Sequence, residues 1–254
     1  TNSDGLTFQM SPGTLKLQVF SPRVVRVAYS LSNSVPTNSL AVIAASTNSG
    51  WSVSSSASEV WITTAALQAR VNRATGGVSF HDTNGVTLLS EPDGTGKALL
   101  ATTAGGISTW RSQQQFLVSS NEAFYGLGQH GAGAMNYRGS SVHLYQGNPG
   151  ESAIPVLVSS RGYGLLWDNP AITDVSIGQI DLTSLIWTSE AADAVDYYFM
   201  YGPALDDVIA GYRHLTGAAP MFGKWAWGFW QSKERYQTQA ELLDVANTYR
   251  SLQI

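Results

Sequence analysis

The stretch Leu15–Tyr29, LKLQVFSPRVVRVAY, decides the fold class. Apolar residues alternate with polar ones at Leu15, Leu17 and Val19, and again at Val25, Val27 and Tyr29, the two-residue period of a strand with one buried face. Ser21-Pro22 lies between the two runs and breaks the ladder, because proline has no N–H to donate. The segment therefore predicts a β-hairpin. Outward from it the same grammar repeats. Ala66–Arg73, Gly77–Phe80 and Val86–Leu89 are short alternating runs separated by Thr75-Gly76-Gly77 and Asp82-Thr83-Asn84-Gly85, where Asn-Gly suits the positive φ of a tight turn, so a three-stranded meander is expected. Further strands are expected at Val142–Tyr145, Ala153–Val158, Tyr163–Trp167, Ser184–Thr188 and Val195–Met200. Many short strands at this spacing predict an antiparallel β-sandwich. Ser90–Arg111, rich in glycine, reads as irregular or as an edge excursion.

The pattern changes after Met200. Asp206-Asp207 can cap a short helix with Val208, Ile209, Tyr212 and Leu215 at helical spacing, and Gly217 and Pro220 stop it. This segment reads as a connector. Lys224–Trp230 alternates and is dense in aromatics, reading as a buried strand in which Trp225, Trp227, Phe229 and Trp230 pack a core. Thr238-Gln-Ala-Glu241 is a capping box for a helix expected to bury Leu242, Leu243, Val245, Ala246, Tyr249 and Leu252. A strand, a loop and an amphipathic helix form the opening unit of a parallel α/β arrangement. The expected organisation is a sandwich over 1–203, a connector over 204–223, and a first barrel strand, loop and helix over 224–254.

Composition narrows the function. The 254 residues carry 14 Lys+Arg against 18 Asp+Glu, a formal net charge of −4, without a basic cluster to follow a phosphate backbone, which argues against a nucleic-acid partner. The longest apolar runs fall far short of the roughly 20 residues of a membrane-spanning helix. With no cysteine there is no disulfide framework and no thiolate nucleophile or ligand. Low charge, abundant Ser and Thr and an initial Thr1 suit a mature secreted or periplasmic protein. The four histidines, His81, His130, His143 and His214, lack metal-ligand spacing, and no cofactor motif is present.

Two regions could carry chemistry. Asn136-Tyr-Arg-Gly139, with His143, Tyr145, Gln146 and Asn148 close behind, gathers amide, guanidinium and aromatic groups of the kind that pair with sugar hydroxyls and pack on pyranose faces. The same residues also suit the outward faces of two strands and a turn. His130 ends the Gly-rich run Tyr125-Gly-Leu-Gly-Gln129, either lining a cleft or bonding within its loop. Tyr236 lies in the loop Gln231–Tyr236, after the expected barrel strand, on the side where such barrels place their active sites. Glycoside hydrolysis needs two carboxylates flanking the scissile bond. No convincing pair stands out: Asp206 and Asp207 are explained by capping, Asp82 by a turn, Glu241 by the capping box and Asp168 by a strand end.

FYGLGQH (Phe124–His130), NYRG (Asn136–Gly139), LYQ (Leu144–Gln146) and PVLVSSRGYGLLWDN (Pro155–Asn169) together resemble the N-terminal sandwich of glycoside hydrolase family 31. FWQSKERY (Phe229–Tyr236) and the helix running to Tyr249–Ile254 resemble that family's first barrel strand, loop and helix. The Gly-Gln-His and Gln-Ser-Lys-Glu-Arg-Tyr wording is most like the α-xylosidase branch. The resemblance implies a galactose-mutarotase-like sandwich leading into a (β/α)8 barrel, and a retaining α-glycosidase acting on an oligosaccharide. Its aspartate nucleophile and acid/base would lie on later barrel strands, so the remaining barrel and C-terminal β-domains are expected partners of this chain. By the same resemblance Tyr236 lines the subsite of the sugar being cleaved, while His130, Asn136, Arg138, Gln146 and Asn148 form substrate-binding loops. An α-glucosidase of the family and a non-catalytic carbohydrate-binding or scaffold module are the alternatives.

Overall fold

The computed structural model describes residues 1–254 except Thr95, Ala132 and Asn148. The strands run β1 (Gly5–Gln9), β2 (Thr14–Ser21), β3 (Val24–Ser30), β4 (Trp51–Ser55), β5 (Glu59–Thr64), β6 (Leu67–Asn72), β7 (Val78–Asp82) and β8 (Thr87–Ser90). They continue as β9 (Lys97–Ala104), β10 (Ile107–Leu117), β11 (Phe124–Gln129), β12 (Ser140–Leu144), β13 (Ser152–Ser159), β14 (Tyr163–Trp167), β15 (Thr173–Ile177), β16 (Ser184–Ala192) and β17 (Val195–Tyr201). Helix α1 (Leu205–Thr216), a 3-10 turn (Lys224–Trp227) and helix α2 (Gln239–Ser251) follow.

The expected hairpin is β2–β3, and the expected meander is β6–β7–β8. One sheet has the order β1-β2-β3-β17-β14-β13-β11; the other runs β12-β15-β16-β10-β8-β7-β6-β5-β4, with β9 paired to β10. All pairings are antiparallel, as short alternating strands joined by tight turns favour. Inward residues of both sheets meet in one core, where Phe80 stacks on Phe199 at 3.9 Å and Trp167 on Trp187 at 5.7 Å. Each of these side chains is fully buried, worth about 1.5–3 kcal/mol against exposure.

Three local expectations are corrected. The β2–β3 hairpin buries both faces, not one: α1 lies on the outer face of its sheet, where Val208 and Leu215 join Val24, Val158, Tyr198 and Met200 in a second apolar cluster. The helix read as a connector thus covers a sheet, and the first compact unit extends over Thr1–Ala218. Its N-cap is Ala204, without a side-chain cap bond, and Asp206 and Asp207 sit in the first turn, where they complement the helix dipole. Ser90–Arg111 contains the long β9 strand and the first part of β10, joined at Gly105-Gly106, both with positive φ (56° and 81°). Its exposed, Thr- and Ala-rich arms hide the strand period.

The second unit, Ala219–Ile254, departs further. Lys224–Trp227 is a 3-10 turn instead of a strand, and Trp225, Trp227, Phe229 and Trp230 are 64–74% exposed instead of packed. A parallel strand is held by ladder bonds to its neighbours, and among the described residues no strand pairs with this segment. The capping box forms as expected: Thr238 Oγ1 accepts from Glu241 N at 3.1 Å, and Glu241 Oε2 accepts from Gln237 N at 2.9 Å. The helix it starts buries none of the six residues expected inside.

Candidate functional site

The family-like motif 124–130 occupies β11, and its glycines have a mechanical cause. A Cβ on Gly126 would lie 2.4 Å from Val156 O, and one on Gly128 would lie 1.8 Å from Ser152 O. Both glycines have φ near +100°, and the pairing of β11 with β13 shifts register between them. Leu127, caught in that shift, is fully buried at φ 62°, a conformation costly for a residue with a Cβ. The bulge bends the strand end and sends the next residues into the β11–β12 loop.

That loop is held by the side chains singled out from the sequence. His130 Nε2 is 2.7 Å from Leu127 O, donating back across the bulge, while Nδ1 is 4.0 Å from Glu151. Its ring stands edge-on to the buried Tyr137 at 6.3 Å. Asn136 Oδ1 accepts from the backbone N–H of both Phe124 (3.0 Å) and Arg138 (3.1 Å). Arg138 donates to the carbonyls of Ser119, Ser120 and Leu182, with its guanidinium 5.8 Å over Phe124. Gln146 Nε2 donates to Glu151 O at 3.1 Å, and its Oε1 accepts from Ala153 N at 2.8 Å. Asn148 lies outside the described residues. Asn136 and Arg138 therefore hold the loop at the Phe124 end of β11, His130 and Gln146 hold it at the Gln129 end beside Glu151, and each spends hydrogen-bonding capacity on backbone. What faces outward is the amide nitrogen of Asn136, the half-exposed ring of Tyr145 and the exposed pair His143–Asp174 at 2.7 Å.

This arrangement predicts a stability cost before any binding effect. Asn136→Ala strips two backbone donors of their acceptor and should lower stability by about 1–3 kcal/mol, read as a drop in the urea midpoint with unchanged m. An unchanged midpoint would show that the loop is held by other means.

Tyr236 belongs to the second unit. Its hydroxyl is shielded from solvent without a hydrogen-bond partner among the described residues, and the Lys233 ammonium lies 5.3 Å over its ring. The loop around it is pinned to α2 by Tyr249 OH donating to Gln231 Oε1 (2.6 Å) and by the pair Lys233–Glu241. The Lys233 bond, with the one donated by Gln237 N–H, holds the exposed Glu241 carboxyl below its ordinary pKa.

Sequence reading missed the buried charge network on the outer face of β3 and β17. Arg26, 4% exposed, donates to both oxygens of Asp196 (Nε–Oδ1 2.9 Å), to Gln18 Oε1 (2.8 Å) and to Pro36 O (2.8 Å). Burial disfavours the charge on Arg26, but the Asp196 carboxylate outweighs this and holds its pKa above the ordinary value. Burial raises Asp196 to about 6 against the pull of Arg26, leaving it ionised at neutral pH. Asp168, raised by burial, accepts from Ser39 Oγ at 2.9 Å. An arginine in the middle of an apolar strand, Val24-Val-Arg-Val27, is the signal that could have flagged it.

Residues 14–175 match the family model described as the glycosyl hydrolase 31 N-terminal galactose mutarotase-like domain. An α-xylosidase of Saccharolobus solfataricus is 44% identical over 157 residues, 58% of this chain and 21% of that protein. The crystal structure of a family 31 α-xylosidase from a soil metagenome, complexed with xylose, superposes with a TM-score of 0.86 at 28% identity, covering 100% of this chain and 40% of that one. That of the family 31 α-xylosidase of Xanthomonas citri gives a TM-score of 0.88 at 24% identity over 99% of this chain and 44% of that one, a likeness of fold. The chain thus spans about a fifth of the first relative's length and less than half of either solved chain. With the family model covering well over half of the chain, and with the two-sheet sandwich and its strained β11 motif in place, the chain belongs to glycoside hydrolase family 31.

Proposed function

We propose that this chain is the N-terminal part of a retaining α-glycosidase, an α-xylosidase acting on xyloglucan-type oligosaccharides. The 44% identity to an α-xylosidase carries this reading. The nucleophile and acid/base aspartates, about 5–5.5 Å apart as retention requires, would lie on barrel strands outside this sequence. Residues 224–254 would supply the first strand, loop and helix of that barrel, and the exposed aromatics there are the surface its remainder would cover. The β11–β12–β13 loops, framed by His130, Asn136, Arg138 and Gln146 with Asn148 among them, would present groups to the leaving sugar. Tyr236 would sit at the subsite of the sugar being cleaved; a shielded phenol without a partner suits a hydroxyl completed by a carboxylate from the rest of the barrel. Among the described residues no helix is long and apolar enough to cross a membrane. The low charge and Ser/Thr content support a secreted or periplasmic enzyme.

The test is the complete gene product on 4-nitrophenyl α-xyloside and α-glucoside. We expect kcat/KM to favour the xyloside by at least about tenfold, the scale on which a pocket rejects an added substituent. In the same assay Tyr236→Phe should lower turnover by about tenfold or less and Tyr236→Ala distinctly more. Preference for the glucoside would replace the reading by the α-glucosidase one, and absence of turnover on both by the binding-module one.

A further inference from the structure

We propose that the outer face of the β5–β8 meander binds a neutral polysaccharide chain in a groove floored by Ser79 and Ser90. Strand register lines up one outward row across six strands: Ser54, Trp61, Arg70, Ser79, Ser90 and Leu117 are successive cross-strand partners. At about 4.8 Å between strands the row spans roughly 24 Å, room for several pyranose rings. Side-chain size along the row makes the groove. Ser79 and Ser90 are small, while the rows on either side carry Asn72 and Glu59 as one wall and His81 and Thr87 as the other. The solvent-open depression over Ser79 and Ser90 is about 370 Å³, with Arg70 and Trp61 continuing the row beyond it.

The head of the groove is preorganised. Arg70 lies with its guanidinium 5.5 Å over the Trp61 ring, donates to Gln68 Oε1 at 2.8 and 3.2 Å, and is paired with Glu59 at 3.6 Å. It is folded toward Trp61, and about 29% of its side chain is exposed. A planar guanidinium so fixed donates to hydroxyls with little ordering cost. The Trp61 indole N–H has no hydrogen-bond partner among the described residues, and its cross-strand partner on β4 is the exposed Ser54. On the far wall His81 bridges Ser79 Oγ (2.9 Å) and Thr87 Oγ1 (3.2 Å), and burial, with Arg70 nearby, pushes its pKa down, keeping the ring neutral.

Charge selects the occupant. Arg70 is matched by Glu59 and Glu91 by Lys97, while Asp93 on the lining and Arg161, held on the Thr87 and Leu88 carbonyls, leave the neighbourhood without a net excess of either sign. Such a surface offers no unmatched cationic cluster to hold phosphorylated, sulfated or uronic-acid chains. It leaves amide, guanidinium, imidazole and hydroxyl groups with an apolar edge at Trp61 and Leu117, the complement of an uncharged chain of sugars.

The test is affinity electrophoresis of the whole 254-residue chain in native gels containing xyloglucan, soluble starch or polygalacturonate, with a plain gel as reference. Retardation by xyloglucan or starch, and not by polygalacturonate, is expected, the two neutral gels telling which backbone fits. Ser90→Phe, which fills the groove floor, and Arg70→Met, which keeps the stem and removes the donors, should each weaken retardation by about tenfold or more at unchanged thermal midpoint. Absence of retardation in both neutral gels, equal retardation of both variants and parent, or stronger retardation in polygalacturonate would overturn the proposal. The readout needs no catalytic residue, so its failure leaves the α-xylosidase reading standing, and failure of that reading leaves this one standing.

Discussion

A Gly128→Ala chain is expected to lose about 2–5 kcal/mol of stability, a large share of the roughly 5–15 kcal/mol that holds a domain folded. Two costs add. At φ 98° an L-residue carries about 1–2 kcal/mol of backbone strain. The new Cβ would stand 1.8 Å from Ser152 O, and since that atom is backbone in a paired strand, relief requires opening the β11–β13 ladder, about 1–3 kcal/mol more by the measure of overpacked interiors. Gly150→Ala supplies the comparison. Gly150 also has positive φ (81°), yet a Cβ there meets nothing within 4 Å, so only the strain should appear, about 1–2 kcal/mol. Urea unfolding of the two variants separates conformational strain from collision. Equal losses in both would show that the close approach of β11 to β13 is not what demands glycine.

The second large effect lies at Asp196. Asp196→Ala leaves the Arg26 guanidinium buried without its carboxylate, and we expect a loss of about 3–5 kcal/mol. Replacing both partners by apolar residues, Arg26→Met with Asp196→Leu, removes the charge along with its need for a partner and should recover most of that loss. Gln18 and Pro36 lose a donor in the double variant, so recovery should stop short of the parent. Thermal midpoints of the single and double variants decide it: a double variant no better than Asp196→Ala would mean that the network is valued for its hydrogen bonds to the segment around Pro36 and not for neutralising a charge.

The sandwich was legible because its signal is local. Each of β2, β3, β6, β7 and β8 shows its two-residue period within its own few residues, and turn chemistry marks the breaks between them. The candidate site was legible in another way. Residue types such as Asn136, Arg138 and Gln146 pointed to hydroxyl recognition, but the structure shows them occupied with backbone groups of Phe124, Ala153 and Ser120, partners that no spacing along the chain announces. Arg26 and Asp196, 170 residues apart, were invisible for the same reason.

The sequence by itself determined which segments could be strands, where they turn, the capping box at Thr238, and the family whose motifs the chain carries, since all of these reside in short runs whose side chains act on their own backbone. Tertiary structure alone decided what those segments bury. It put α1 on the outer face of β3 and β17, so that a hairpin expected to be half wet is buried on both sides. It also left the aromatic run 225–230 as an exposed turn, where the same alternation had predicted a strand. The reason is that burial and strand pairing are relations between elements. A period of two states which side chains share a face, while only the presence of a neighbouring strand or helix determines whether that face is covered and whether its N–H and C=O groups find a ladder to join.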